Sequence, residues 1–162
     1  MIAGCGGGGG GGGYSKTAPN PSAGAAPTVA LAPSKFGNIL VDAHGRTLYL
    51  FEADKTTAST CYSSCASLWP PLVVSGAAKA GPQVIASQLG TTRRTDGTTE
   101  VTYNGHPLYY YVGDHNPGSI SGQRLNQFGA LWYVLSPSGN AVTSAASSAA
   151  PAAAPSPSGY GY

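Results

Sequence analysis

Charge is scarce in this chain. Its 162 residues include eight Lys and Arg and six Asp and Glu, for a net charge of +2. So small a basic excess implies no nucleic-acid partner. Its one adjacent basic pair, Arg93-Arg94, reads as a solvated turn between strands rather than a phosphate site. Long apolar runs are missing as well, and none approaches the ~20 residues that a membrane-spanning helix requires. The central region has no G-x-S-x-G elbow, phosphate loop, dinucleotide fingerprint or zinc-protease helix, which leaves no motif on which to found a reaction or a cofactor. The expectation is a chain that is not an enzyme.

Large apolar side chains are also missing from both ends. Residues 6–13 are eight consecutive glycines, residues 14–27 are rich in Ser, Ala, Asn and Pro, and residues 143–162 are almost wholly Ala, Ser, Pro, Thr, Gly and Tyr. Neither end can bury enough surface to offset the entropy of ordering, so both are expected to be disordered: a tether over 6–27 and a low-complexity tail over 143–162. The stretch 28–142 holds both tryptophans and all three phenylalanines. It is long enough for one core and one domain.

What this middle contains is a duplication. Val41–Asp54 reads VDAHGRTLYLFEAD and Val101–Asp114 reads VTYNGHPLYYYVGD, at a constant offset of 60 residues. A second match follows each copy, SLWPPL at Ser67–Leu72 and ALWYVL at Ala130–Leu135. Internal repetition sets architecture before any single motif does. Thr47–Phe51 and Pro107–Tyr111 are dense in strand-favouring residues. Ala43-His44-Gly45 and Asn104-Gly105 precede them as turn signals, and Asn38–Val41 and Thr99–Tyr103 are the partner strands. With Phe36-Gly37 and Asp96-Gly97 as earlier turns, each repeat (about 28–73 and 87–136) is expected to be a three-stranded meander. A short helical turn is expected near 62–68.

Strand alternation puts Tyr49 and Phe51 on one face, with Leu48 and Leu50 on the other. Both faces are apolar, so both are expected to be covered. The predicted fold is all-β: two meander repeats packed about a pseudo-twofold as one small sandwich or barrel-like domain, with Trp69 and Trp132 filling the space between them.

Tyr49-Leu50-Phe51-Glu52-Ala53-Asp54 and Tyr109-Tyr110-Tyr111-Val112-Gly113-Asp114 both fit Y-x-[FWY]-x-x-D. With GRTLY, the cysteine pair ahead of Trp69-Pro70-Pro71, the YNGHPLYYY segment and the closing WYVLSPSG, the chain resembles the bacterial secreted-repeat family of predicted lipoproteins. The resemblance covers about 28–140. It implies an exported, usually lipid-anchored protein and brings no catalytic residue and no cofactor. The motif positions it marks are Tyr49, Phe51, Asp54, Tyr109, Tyr111 and Asp114.

Ile2-Ala3-Gly4-Cys5 resembles the lipobox of bacterial lipoproteins, and a flexible segment follows it directly. Cys5 is therefore expected to carry the lipid, with the membrane as its partner. Only Met1 precedes Ile2, where an export signal has a basic start and an apolar stretch, so residues 1–5 are expected to be a signal remnant within a longer reading frame. Two or three acyl chains suffice for stable anchoring. The expected location is the outer face of the cytoplasmic membrane, the periplasm or the cell surface.

Four features invite chemistry, each with a plainer alternative. Cys61 and Cys65 lie within disulfide reach on a helical turn, and a structural disulfide is the default outside the cytoplasm. The alternative is a reactive dithiol or a Cu(I) site completed by a histidine. Asp54 and Asp114 could meet across the pseudo-twofold as a metal or acid–base pair; the simpler reading is that each closes a turn onto backbone N–H groups. His44, His106 and His115 read as exposed turn residues. Tyr103, Tyr109, Tyr110 and Tyr111 are either a stacking platform for sugars or core and cross-strand packing. The ligand itself is not written in the sequence.

Overall fold

The computed structural model describes residues 28–144. The expected lipobox at 1–5, the expected tether at 6–27 and all but the first two residues of the expected tail at 143–162 lie outside the described residues. The fold is all-β. Its strands are β1 (Ala30–Ser34), β2 (Gly37–Val41), β3 (Tyr49–Phe51), β4 (Leu89–Arg93), β5 (Thr99–Tyr103), β6 (His106–Pro107), β7 (Asn126–Gln127) and β8 (Ala130–Val134). One short helix, α1 (Ser64–Leu68), stands where the helical turn was expected.

Turn chemistry sets the local pairings. β1 and β2 form an antiparallel hairpin whose register runs from Ala30 opposite Val41 to Ser34 opposite Gly37. In the second repeat β4, β5 and β6 make a continuous antiparallel meander. Asn104 and Gly105, at φ 49° and 80°, connect β5 to β6, the two positive φ values that a tight type I′ turn demands. In the first repeat Asp42 replaces that turn with a wider one. Its Oδ1 accepts the backbone N–H groups of His44 at 2.8 Å and Arg46 at 3.0 Å.

The first repeat departs from a self-contained meander. Its third strand returns along β2 only as far as the Leu48 N–H to Leu40 carbonyl bond of 3.1 Å. It then crosses into the other repeat, where β3 pairs with β8: Tyr49 opposite Val134, Leu50 opposite Tyr133, Phe51 opposite Trp132. The second repeat reciprocates. Tyr109 bridges Pro71, the Tyr110 N–H donates to the Pro70 carbonyl at 2.8 Å, and the Val112 N–H donates to the Leu68 carbonyl at 3.1 Å. The Glu52 N–H donates to the Leu131 carbonyl at 3.0 Å, the symmetric counterpart of the Val112 bond. At the centre, Tyr49 and Tyr109 exchange both backbone bonds, 2.9 and 3.0 Å.

The two exchanged segments differ because of proline. Pro70 and Pro71 have no N–H to donate, so 68–72 offers carbonyls but cannot form a full ladder, whereas Trp132-Tyr133-Val134 can. The outer edge of β8 carries β7. The outer edge of 68–72 needs no such cover, since proline blunts it.

The central strands separate two cores. Leu48, Leu50, Leu72, Val101, Tyr103, Leu108 and Leu135 fill one. Tyr49, Phe51, Trp69, Tyr109, Trp132, Ile39 and both bridged cysteines fill the other. The four residues Leu48–Phe51 are all buried, as strands covered on both faces must be.

Candidate functional site

The exchange extends from backbone to side chains. The Tyr49 hydroxyl donates to Asp114 Oδ2 at 2.6 Å, and the Tyr109 hydroxyl donates to Asp54 Oδ2 at 2.6 Å. The Tyr and the Asp of one motif copy therefore bind the other copy rather than each other. The second oxygen of each Asp holds its own loop: Asp54 Oδ1 accepts the Thr60 N–H at 2.7 Å, and Asp114 Oδ1 accepts the Ser121 N–H at 2.7 Å. Both phenols are pushed far above their ordinary pKa, by burial first, then for Tyr49 by Asp114 and for Tyr109 by the charges of Glu100 and Asp54.

The motif aromatics are exchanged too. Phe51 stacks on Trp132 at 4.0 Å and Tyr111 on Trp69 at 4.4 Å, while the two indoles stack on each other at 3.9 Å. Four rings alternate between repeats. Tyr49 and Tyr109 meet their own repeat's tryptophan edge-on, at 5.3 and 5.2 Å. Edge contacts of this kind are among the favourable aromatic arrangements. Gly122 lies against this stack: a Cβ there would sit 2.7 Å from Trp69 and 2.9 Å from Tyr49.

Cys61 and Cys65 are joined by a disulfide with a Cα separation of 5.2 Å. Both are buried, and among the described residues no group of three His, Cys, Asp or Glu is placed to hold a metal ion. The bridge pins a loop that sequence reasoning did not connect to anything. Ser59 Oγ lies 2.6 Å from the Tyr109 hydroxyl, and Arg94 donates to Ser59 Oγ, to Glu100 Oε2 and to the Cys61 carbonyl, each at 2.7 Å. The Arg94 guanidinium also covers the Tyr62 ring at 4.3 Å. Arg93 is exposed but ends β4 opposite Thr99 rather than lying in a turn, and Arg94 is buried, which corrects the reading of the pair. The cause is Glu100. This strand carboxylate is fully covered by the first repeat's loop and needs a cation. Burial pushes Glu100 up to about 7 against the pull of Arg94, and its Oε1 has no partner.

Asp54 and Asp114 do not form a carboxylate pair, since each is engaged by the tyrosine opposite. His44 is 81 % exposed beside Asp42, and His115 is exposed. His106 is half-buried instead, and burial lowers its pKa. Tyr103 and Tyr109 are core; Tyr110 and Tyr111 are half-buried.

Two clefts flank the join. One, of about 190 Å³, is bordered by Arg46, Pro70, Tyr110, Tyr111, Val112 and Asp114. The other, of about 340 Å³, is bordered by Leu50, Glu52, Asp54, Lys55, His106 and Asn140. Four of their positions correspond across the repeat: Arg46 with His106, Tyr110 with Leu50, Val112 with Glu52, and Asp114 with Asp54. The duplication thus built one cleft twice and gave the copies different side chains.

A family model described as a secreted repeat of unknown function matches residues 31–73 and again 90–136. The chain belongs to that family. No curated protein and no solved structure matches it. Each secreted repeat carries one Tyr, one Asp and one Trp of the exchange, so neither has its partners without the other. A secreted family and a formed disulfide together point to an extracytoplasmic location.

Proposed function

We propose that this secreted-repeat protein is lipid-anchored through Cys5 to the outer face of a bacterial membrane. Its two-repeat domain acts there as a non-catalytic binding or structural module. Residues 6–27 are the tether, 28–142 the domain and 143–162 a free tail. The lipobox-like Ile2-Ala3-Gly4-Cys5 and the glycine run behind it support the anchor. The disulfide and the family support export.

One observation carries the non-catalytic reading. The motif's two Tyr–Asp pairs join the repeats, through 2.6 Å bonds whose tyrosines are fully buried. A hydroxyl held by a carboxylate in the core is an architectural bond.

Intact mass of the native protein from its own host tests this. The expected species starts at Cys5, carries diacylglyceryl with or without an N-acyl chain, and has two fewer hydrogens for the Cys61–Cys65 bridge. An unacylated Cys5 would remove the anchor. Free thiols at Cys61 and Cys65 with bound copper would replace this reading with a metal one.

A further inference from the structure

The two clefts are the same place in two copies, and their side chains differ. Leu50 borders its cleft from the core at 2 % exposure, whereas Tyr110 packs on the same core but is half-buried, with its ring and hydroxyl on the cleft wall. Packing alone is met by leucine at the equivalent site.

Tyr110 is held in place. Its hydroxyl donates to Asp42 Oδ2 at 3.1 Å, and Arg46 lies over its ring at 4.0 Å. Arg46 is itself fixed by Asp42, through Nε at 2.9 Å and Nη2 at 2.9 Å. Asp42 is buried and takes two backbone N–H groups besides. Burial alone would raise its pKa, but those N–H bonds and Arg46 hold it below the ordinary value. Tyr111 closes the cleft, its ring backed by Trp69. Asp114 completes the wall, its carboxylate fixed by Tyr49 and the Ser121 N–H. The wall is therefore two aromatic rings, one guanidinium and one carboxylate, all oriented before any ligand arrives, which lowers the entropy cost of binding.

The chemistry of this wall selects its ligand. Arg46 is neutralised by Asp42, so the cleft offers the guanidinium N–H groups that Asp42 leaves unused rather than net positive charge, and a simple anion gains little there. An extended peptide cannot add as a strand, because the Tyr110 and Val112 N–H groups are already paired with Pro70 and Leu68. A sugar ring meets both demands. It has C–H groups that pack against the aromatic part of the wall and equatorial hydroxyls that pair with guanidinium and carboxylate. We infer that the cleft of Arg46, Tyr110, Tyr111 and Asp114 is a glycan-binding subsite for a single pyranose ring. The inference rests on the binding-module reading and names its ligand class.

The cleft is smaller than the ~300 Å³ at which drug-sized pockets begin, so one ring is held weakly, with Kd on the order of 1 mM for a soluble oligomer. The test is an amide chemical-shift titration of the full ¹⁵N-labelled chain with chito-, gluco- and manno-oligosaccharides in turn. At least one series is expected to give saturable shifts at Arg46, Thr47 and Tyr110–Asp114, and none at Leu50–Lys55 or Asn140. Tyr110→Leu installs the residue of the equivalent site and is expected to weaken binding at least ten-fold. No saturable shift with any oligomer overturns the inference, as do shifts centred on the other cleft or unchanged affinity in Tyr110→Leu. If that variant does not fold, the shift map of the unaltered chain decides alone. Co-sedimentation with isolated cell-wall glycan, competed by the active oligomer, assigns the sugar to the wall; oligomer binding without sedimentation assigns it to soluble sugars. Because acylation is read by mass in the host and sugar binding on the purified chain, either reading can fail without the other.

Discussion

The Tyr109 hydroxyl stands where three segments meet. It donates to Asp54 and lies 2.6 Å from Ser59 Oγ, which also takes Arg94. Tyr49 makes the matching bond to Asp114, with the Gly122 N–H at 3.2 Å, but Asp114 is half-exposed and water can replace the phenol. Tyr109→Phe is therefore expected to cost about 1.5–3 kcal/mol, as for a buried bond to a charged group, and Tyr49→Phe less. Urea-unfolding midpoints read the difference, and equal small losses would count against the asymmetry.

Glu100 gives the fold a pH dependence. Its carboxyl is pushed from 4.5 to about 7 by burial, so the folded chain holds that proton more tightly than the unfolded one. Between those values the stabilising contribution is present on the acid side and is lost as pH rises through 7. Thermal unfolding should occur at a higher temperature at pH 5.5 than at pH 8, and Glu100→Gln should flatten that slope. Asp42, held below its ordinary value, acts in a lower window and with the opposite sign, since its contribution is lost as pH falls. A slope that persists unchanged in Glu100→Gln would assign the effect elsewhere.

At the scale of elements, the ring stack and the disulfide loop carry the join. Trp132 contacts Phe51, Trp69 and Tyr109, so Trp132→Ala should cost about 3–5 kcal/mol. Gly122→Ala places a methyl within 3 Å of two packed rings and should cost about 1–3 kcal/mol by overpacking. Reducing Cys61–Cys65 releases only a short loop, worth about 2 kcal/mol on the loop-entropy account. The loss should be visible as a lower denaturation midpoint with the fold retained. Complete unfolding on reduction would mean that the Arg94 cluster depends on the bridge.

Alternation made the faces of these elements legible. Leu48 and Leu50 do go to one core, and Tyr49 and Phe51 to the other. The buried ion pair was not legible. On β5, Glu100 and Thr102 form the polar side of an alternating strand, and such a side reads as solvent-facing. Only the first repeat's Ser59–Tyr62 loop, distant in sequence, covers it and recruits Arg94.

At the scale of the molecule, the central links between the repeats are reciprocal: the paired Tyr49–Tyr109 backbone bonds, two Tyr–Asp bonds and four interleaved rings; the Arg94–Ser59 cluster adds a one-sided link. Neither half can satisfy its own tyrosine or cover its own tryptophan. The domain should unfold in one cooperative step, with tryptophan fluorescence and far-ultraviolet circular dichroism losing signal together. Two separated transitions would show that each repeat is stable alone.

Sequence by itself determined the duplication, the strand faces, the turn positions and the thiol pair, because each is written in local spacing and residue type. It could not determine which copy of a motif a side chain would answer to. Tyr49 and Asp54 lie close together in the chain, yet each binds the opposite repeat, and the paired clefts exist only because the strands cross over. That choice belongs to the tertiary structure, since a strand apolar on both faces is covered more completely by its twin's tryptophan segment than by anything its own repeat can fold back onto it.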